Sequence, residues 1–267
     1  MVLFRPLSDL HNEVQPFTLN PLPTDKDTIL SLAGDIYSPK KLMPWLHEVA
    51  ERFKHVVVVL GNHDYWKGSY DRVRQEIELY IHTHEIKNVH VLFDRAVVLE
   101  GYLFFGGTMW TDFNRRDPMT MLRAPDVMKD YKKIRTNNYG RRLTVQFLLE
   151  RHEWYKTRLR ETLADPQYAD LPVVVLSHHA PCYLSLDPCY SHNHNDNGYY
   201  YANMHDLILD NPRIKLWQHG HIHYRSYYDL GDTQILCNPN GYIKYGERVE
   251  LFDPELVLDL DNLPKSL

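Results

Sequence analysis

His55-Val56-Val57-Val58-Val59-Leu60-Gly61-Asn62-His63-Asp64 decides the architecture, because six residues suited to a buried strand run straight into four that core packing does not reward. A short apolar run rich in β-branched residues and closed by glycine predicts a strand covered on both faces. Comparable runs lie to either side, at Thr28 to Ala33, Asn88 to Phe93, Ala96 to Leu99, Tyr102 to Phe105, Pro172 to Leu176, Ile214 to Trp217, Thr233 to Cys237 and Glu250 to Leu258. Helical patterns separate several of them, at Pro39 to Lys54, Ser69 to His84 and Thr144 to Ala164, the last with Phe147, Leu148, Trp154 and Leu159 at helical spacing. This alternation predicts an α/β fold. Gly101 between VVLE and YLFF predicts a hairpin, and the C-terminal third is strand-rich, so antiparallel strands must join the parallel ones in a mixed sheet or two stacked sheets. With no internal repeat and no linker, a single domain over residues 1–267 is expected.

The bulk numbers narrow the class. Of the 267 residues, 43 % are apolar and 12 % aromatic, enough for a large core. No run reaches the roughly 20 apolar residues of a membrane span, and the opening MVLFRPLSDLHNE lacks a long apolar stretch, so a cytoplasmic protein is expected. Cys182, Cys189 and Cys237 are odd in number and form no CxxC pair, which argues against a disulfide framework and a cysteine zinc site. The net charge of −5 disfavours a generic nucleic-acid binder, yet Asn114 to Arg160 holds 13 Lys/Arg against 5 Asp/Glu. Two readings stand for that segment, a solvated helical face or a surface that attracts phosphorylated substrates.

Histidine, at 16 residues, is the composition feature that points to chemistry. In strand-then-loop proteins, ligands gather at the carboxyl ends of strands. Here Ala33-Gly34-Asp35 follows TILSL, Gly61-Asn62-His63-Asp64 follows HVVVVL, Ser177-His178-His179 follows PVVVL, and His219-Gly220-His221-Ile222-His223 follows IKLW, while Ser8-Asp9-Leu10-His11 closes the opening segment. Each fragment alone is weak; five in this order are not. Carboxylate, imidazole and carboxamide without thiolate suit manganese, iron, zinc or nickel. Two ions about 3.5–4 Å apart clamp the attacking and leaving oxygens of an in-line displacement and make hydroxide accessible near neutral pH, chemistry that suits phosphoric ester hydrolysis.

The ordered set DLH, GD, GNHD, HH and GHIH, spanning residues 9 to 223, resembles the calcineurin-like metallophosphoesterase superfamily. The resemblance implies a four-layer α/β/β/α sandwich with two mixed sheets and two divalent ions, manganese the favoured pair. Carried over residue by residue, it puts Asp9, His11 and His223 on one ion, Asn62, His178 and His221 on the other, and Asp35 between them. It implies that His63 contacts the substrate phosphate and serves the leaving group, that Asp64 orients His63, and that Asn62 also meets substrate. His178 is taken as the ligand and His179 as a group that contacts substrate or supports the ligands. One departure stands out: Asp35-Ile36-Tyr37-Ser38 lacks the second acid often found three residues after the first.

These residues imply a phosphodiesterase or phosphomonoesterase acting on a nucleotide-like or small organic phosphate, with nucleic acid also a candidate substrate. A phosphoprotein phosphatase is the second reading, and a non-catalytic scaffold of the same fold the third. The aperiodic stretch Cys182 to Asn203 is a candidate substrate loop, with Tyr199-Tyr200-Tyr201 able to stack on an aromatic group. Trp110 and Asp112, after Gly106-Gly107, are candidates for the pocket wall.

Overall fold

In the computed structural model, residues 1–190, 192–247 and 251–265 are described, apart from the side chain of His194. Strands form at β1 (Leu3–Leu7), β2 (Thr28–Ala33), β3 (His55–Val59), β4 (Val89–Val91), β5 (Arg95–Leu99), β6 (Tyr102–Gly107), a two-residue hairpin β7 (Arg135–Thr136) and β8 (Arg141–Arg142), β9 (Val173–Ser177), β10 (Ile214–His219), β11 (Ser226–Leu230), β12 (Thr233–Cys237) and β13 (Leu258–Asp259). Two large mixed sheets result. One has the order β13-β1-β2-β3-β4, the other β11-β12-β10-β9-β6-β5.

The alternation of side chains along a strand sorts the core into three interfaces, and these make the four layers. Leu30, Leu32, Val56 and Val58 face the helices Pro39–Ala50 and Tyr70–Thr83, whose Leu42, Leu46, Val73 and Ile77 pack on them. Ile29, Ala33, Val57 and Val59 point the other way, against Phe104, Val174, Leu176, Leu216 and Leu236 of the second sheet. The far face of that sheet, with Leu103, Phe105, Val173 and Val175, is covered by Tyr155, Leu159 and Leu163 of the helix Val145–Ala164. Local signals start the helices: Pro39 sits in the first turn of its helix, and the Thr144 hydroxyl accepts the Phe147 N–H at 3.1 Å.

Three elements depart from the sequence reading. β1 carries Arg5 and Pro6, so it does not read as an apolar run; Arg5 is fully buried because Asp25 pairs with it at 3.0 Å, and Pro6 lies past Leu3 and Phe4, the two residues that β13 pairs. β11 holds Ser226, the half-buried Tyr227 and Tyr228 and the exposed Asp229 before the buried Leu230, and so does not stand out as an apolar run. The run Glu250 to Leu258 is no long strand: Glu250 lies outside the described residues, Asp253–Val257 is irregular around Pro254, and pairing begins only at Leu258. No helix among the described residues is long and apolar enough to cross a membrane.

Parallel pairing of β1 with β2, β2 with β3, and β9 with β10 sends their carboxyl ends to one edge of the molecule. A buried bond between Ser31 and Gln218 (2.5 Å) ties the two sheets together below that edge.

Candidate metal centre

The loops leaving β1, β2, β3, β9 and β10 bring Asp9, His11, Asp35, Asn62, His63, His178, His221 and His223 into one cluster. Asp9, His11 and His223 form one group of ligand atoms within 4.8 Å of one another, and Asp35, His178 and His221 form a second. Asp35 stands between them, its Oδ2 3.7 Å from His11 Nε2 and its Oδ1 3.5 Å from His178 Nε2. Asn62 Oδ1 lies 2.9 Å from His178 Nε2. Its amide nitrogen donates to Asp130 at 2.9 Å, which turns the oxygen toward the cluster.

Backbone shape delivers these side chains. Asp9, His11, Asp35, His221 and His223 all have positive φ, between 46° and 72°, a conformation that costs a non-glycine residue of order 1–3 kcal/mol and gathers at functional sites. Gly34 (φ 87°) allows the close passage of β2 and β9: a Cβ there would lie 2.5 Å from His178 Nδ1 and 2.6 Å from the Gly61 amide. Gly61 leaves the space that the Asp35 carboxylate fills. Gly61→Ala is therefore expected to displace Asp35 and drop bound metal below one ion per chain, while far-ultraviolet circular dichroism stays near that of the parent; unchanged metal content would refute this account.

The donor set fits cations. His11 Nδ1 faces Glu13 at 3.0 Å and His223 Nδ1 faces Glu247 at 2.8 Å, so each ring directs its proton to a carboxylate and its other nitrogen inward. Those inward Nε2 atoms lie 3.1 Å apart, close enough to share one cation, a proton or a metal ion. His178 repeats the pattern: Nδ1 donates to the Ala33 carbonyl at 2.9 Å, and Nε2 faces Asn62, His221 and Asp35. His221 Nε2 is buried with no hydrogen-bond partner among the described residues. Proton affinities at two of these rings report negative potential, whereas at His221 burial and then the neighbouring His179 and His178 push the pKa well below its ordinary value. Burial opposes the His223 imidazolium, but Asp9 and Glu247 hold its pKa up to about 10. Burial likewise opposes His178, and Asp35 with Asp9 outweighs it, up to about 9.

His63 sits at the edge of this cluster. Its backbone N–H donates to Asp35 Oδ1 at 2.8 Å, its Nδ1 lies 3.1 Å from Glu13, and its Nε2 lies 2.8 Å from the Tyr242 hydroxyl. Trp66 stacks on the ring, centroids 3.5 Å apart, with its indole N–H on Asp130 at 2.6 Å. Burial lowers the His63 pKa, but Asp35 and Glu13 raise it by more.

One expected role changes and one narrows to the second of its two alternatives. Asp64 does not touch the His63 ring among the described contacts. Its carboxylate accepts the backbone N–H groups of Asp35, Ile36, Tyr37 and Gly61 at 2.8–3.0 Å, so it holds the loop that presents Asp35. His179 does not reach the cavity: it is buried between Trp110 and His221, with Nδ1 on the Thr108 carbonyl, and so supports His221 from behind. Trp110 is likewise buried away from the cavity, and Asp112 binds Asn203 at 3.0 Å, anchoring the far end of the 182–203 loop.

The cluster floors a cavity of about 520 Å³ walled by Trp66, Tyr200, Tyr242, Met128 and Tyr190. The segment from Cys182 to Asn203 supplies Leu186, Asp187, Tyr190, Asn193, Asp196, Asn197 and Tyr200 to the wall; Tyr199 and Tyr201 are buried in packing. Of the Lys and Arg residues in the basic segment only Lys129 lines the cavity, while Arg116, Arg123 and Arg158 pair with Glu153, Asp196 and Glu161 on the surface. A solvated face accounts for most of that charge. Glu13, Asp130, Trp66, Tyr242 and Glu247 escaped the sequence reading. Glu13 alone had a local signal, an acid two residues after His11 in the first motif.

Known proteins share this arrangement of elements. The sequence profile described as calcineurin-like phosphoesterase matches residues 4–225. A search of curated proteins finds no match. Among solved structures, the phosphopantetheinyl hydrolase of Mycobacterium tuberculosis superposes with TM-score 0.64 at 17 % identity, covering 95 % of this chain and 97 % of that one. TT1561 of Thermus thermophilus gives 0.56 at 13 %, covering 97 % and 95 %.

Proposed function

The chain belongs to the calcineurin-like phosphoesterase family, and on that footing we propose that it hydrolyses a small organic phosphoric ester, a diester by preference, with two divalent metal ions. The observation that carries this reading is the pair of ligand groups flanking Asp35 on the floor of an aromatic-walled cavity. Asp9, His11 and His223 would hold one ion, Asn62, His178 and His221 the other, with Asp35 shared. Manganese is the favoured metal, iron, zinc and nickel being compatible with the same donors. The two ions supply Lewis acidity toward phosphoryl oxygens and a nucleophile at neutral pH.

The protein's own groups do the rest. The Asn62 amide is fixed by Asp130 and steadied beside the reacting phosphate. His63, held by Glu13 and stacked on Trp66, presents Nε2 to the leaving-group oxygen and gives it a proton. The Tyr242 hydroxyl, 2.8 Å from that nitrogen, marks where the leaving oxygen would lie. Tyr200 packs beside His221 and Tyr242 beside His11, so aromatic faces flank the floor.

Size and charge of the cavity support a small substrate. About 520 Å³ admits a drug-sized molecule, not a folded phosphoprotein segment. Nucleic-acid grooves need tracks of Lys and Arg; here Lys129 is the single Lys or Arg among the described lining residues, against Asp130, Asp187, Asp196 and Glu247. Phosphodiesters of uncharged organic groups fit better than polyphosphates.

The test is hydrolysis of bis(p-nitrophenyl) phosphate and p-nitrophenyl phosphate by manganese-loaded protein, before and after chelation. Activity on the diester that vanishes with chelator and returns with manganese is expected. His63→Ala should lower kcat on the diester by about 10²-fold, the usual worth of a positioned proton donor, while metal content stays near two per chain. Cleavage of neither ester by protein carrying two metals would overturn the proposal.

A further inference from the structure

Glu13 touches both halves of the site. One of its carboxylate oxygens, Oε1, lies 3.0 Å from His11 Nδ1 and 3.1 Å from His63 Nδ1. The two rings meet edge to face with centroids 4.7 Å apart, so the carboxylate sits at the corner they share. A carboxylate has lone pairs and no proton, and it can accept from both rings at once only if each carries its proton on Nδ1. Asp35-Ile36-Tyr37-Ser38 offers no second acid to His63, and Glu13 is the only carboxylate bonded to that ring among the described residues.

The turn that carries Glu13 does not depend on it. Val14 and Gln15 donate to the His11 carbonyl at 2.8 and 3.1 Å. Asn12 bonds the Ile36 carbonyl at 3.1 Å and accepts the Phe17 N–H at 2.8 Å. The Glu13 side chain is 22 % exposed and pairs with nothing else described. The two imidazoles are its side-chain partners among the described residues.

We infer that Glu13 is a positioning residue that keeps a proton on Nδ1 of both His11 and His63, so that His11 would turn a bare Nε2 to the first ion and His63, taking up a second proton on Nε2, would turn that N–H to the leaving-group oxygen. A single carboxylate thereby couples metal binding to leaving-group chemistry. The part that concerns His63 in turnover rests on the phosphoesterase reading; the tautomers do not.

Nitrogen NMR of ¹⁵N-histidine-labelled protein loaded with zinc reads the tautomers directly. Wild-type protein is expected to show His11 and His63 protonated at Nδ1, and Glu13→Leu, which removes the shared acceptor, is expected to move at least one ring to the other tautomer or to a mixture. Identical spectra would overturn the inference. In manganese-loaded protein, Glu13→Leu is expected to lower kcat by about 10–100-fold, the usual cost of losing a partner behind a ligating histidine, with KM within about threefold. Glu13→Asp keeps the charge but withdraws the oxygen by one methylene, and is expected to lose most of the same factor; full activity in it would show that charge alone matters and defeat the positioning role. In a His63→Ala background, Glu13→Leu should cost less than it does alone, since part of its effect passes through the missing ring. Equal cost in both backgrounds would assign Glu13 a purely structural role. Should wild-type protein hydrolyse no phosphoester at all, the functional reading falls while the NMR result still decides the tautomer assignment.

Discussion

Replacing Asp35 by alanine is expected to lower kcat/KM on a phosphodiester by on the order of 10³-fold or more, equivalent to about 4 kcal/mol of transition-state stabilisation, and to reduce bound manganese to one ion per chain or fewer. Three consequences converge on this side chain. Its oxygens stand 3.7 Å from His11 Nε2 and 3.5 Å from His178 Nε2, so its removal takes the one shared anion from between the two ligand groups. Two cations a few ångströms apart repel strongly in a buried site, and a bridging carboxylate is what offsets that repulsion. Asp35 also accepts the His63 backbone N–H at 2.8 Å, so the variant loosens the proposed proton donor. Asp35→Asn separates these effects: it keeps an acceptor for His63 and loses the charge, so its metal content should fall with little loss of thermal stability. Metal analysis beside diesterase kinetics provides the check. Two tightly bound ions and near-normal turnover in Asp35→Ala would place the metal centre elsewhere.

What the sequence makes legible follows from how local each signal is. β2 and β3 are read almost to the residue, because TILSLA is buried along its whole length and HVVVV along all but its first residue. β1 is invisible as a run because Arg5 and Pro6 interrupt it, and what justifies them, Asp25 and the short reach of β13, lies 20 or more residues away. The eight strand-end residues named from sequence come together in space, yet their geometry rests on five left-handed backbone positions that no composition signals. The supporting residues were harder still. Asp130 sits among lysines in KDYKK and reads as one charge of a basic face, but it orients Asn62 and Trp66 at once. Tyr242 and Glu247 belong to a C-terminal loop without motif or period, and only the fold places them against His63 and His223. The expected basic surface illustrates the opposite error: a count of charges along the chain does not say which way the side chains point.

Asp64 shows how a correct neighbour can carry the wrong role, and its removal yields the largest expected effect on stability. Four backbone N–H groups, from Asp35, Ile36, Tyr37 and Gly61, end on its two oxygens at 2.8–3.0 Å, and the side chain is fully buried. In Asp64→Ala those donors lose their acceptor inside the protein, and a buried unmade hydrogen bond costs about 1–3 kcal/mol. Even if entering water satisfies half of them, a loss of at least about 2 kcal/mol follows, which for a chain of this size lowers the melting temperature by roughly 4–8 °C or more. The loop that carries Asp35 would then be free to leave its positive φ of 56°, and metal affinity should fall with it. A group that merely oriented His63 behaves differently: its loss would spare both melting temperature and metal content and slow only the esters with poor leaving groups. Thermal denaturation of Asp64→Ala with and without manganese distinguishes the two. A melting temperature within about 2 °C of the parent, together with a kinetic defect confined to poor leaving groups, would return Asp64 to His63 and remove it from the scaffold beneath Asp35.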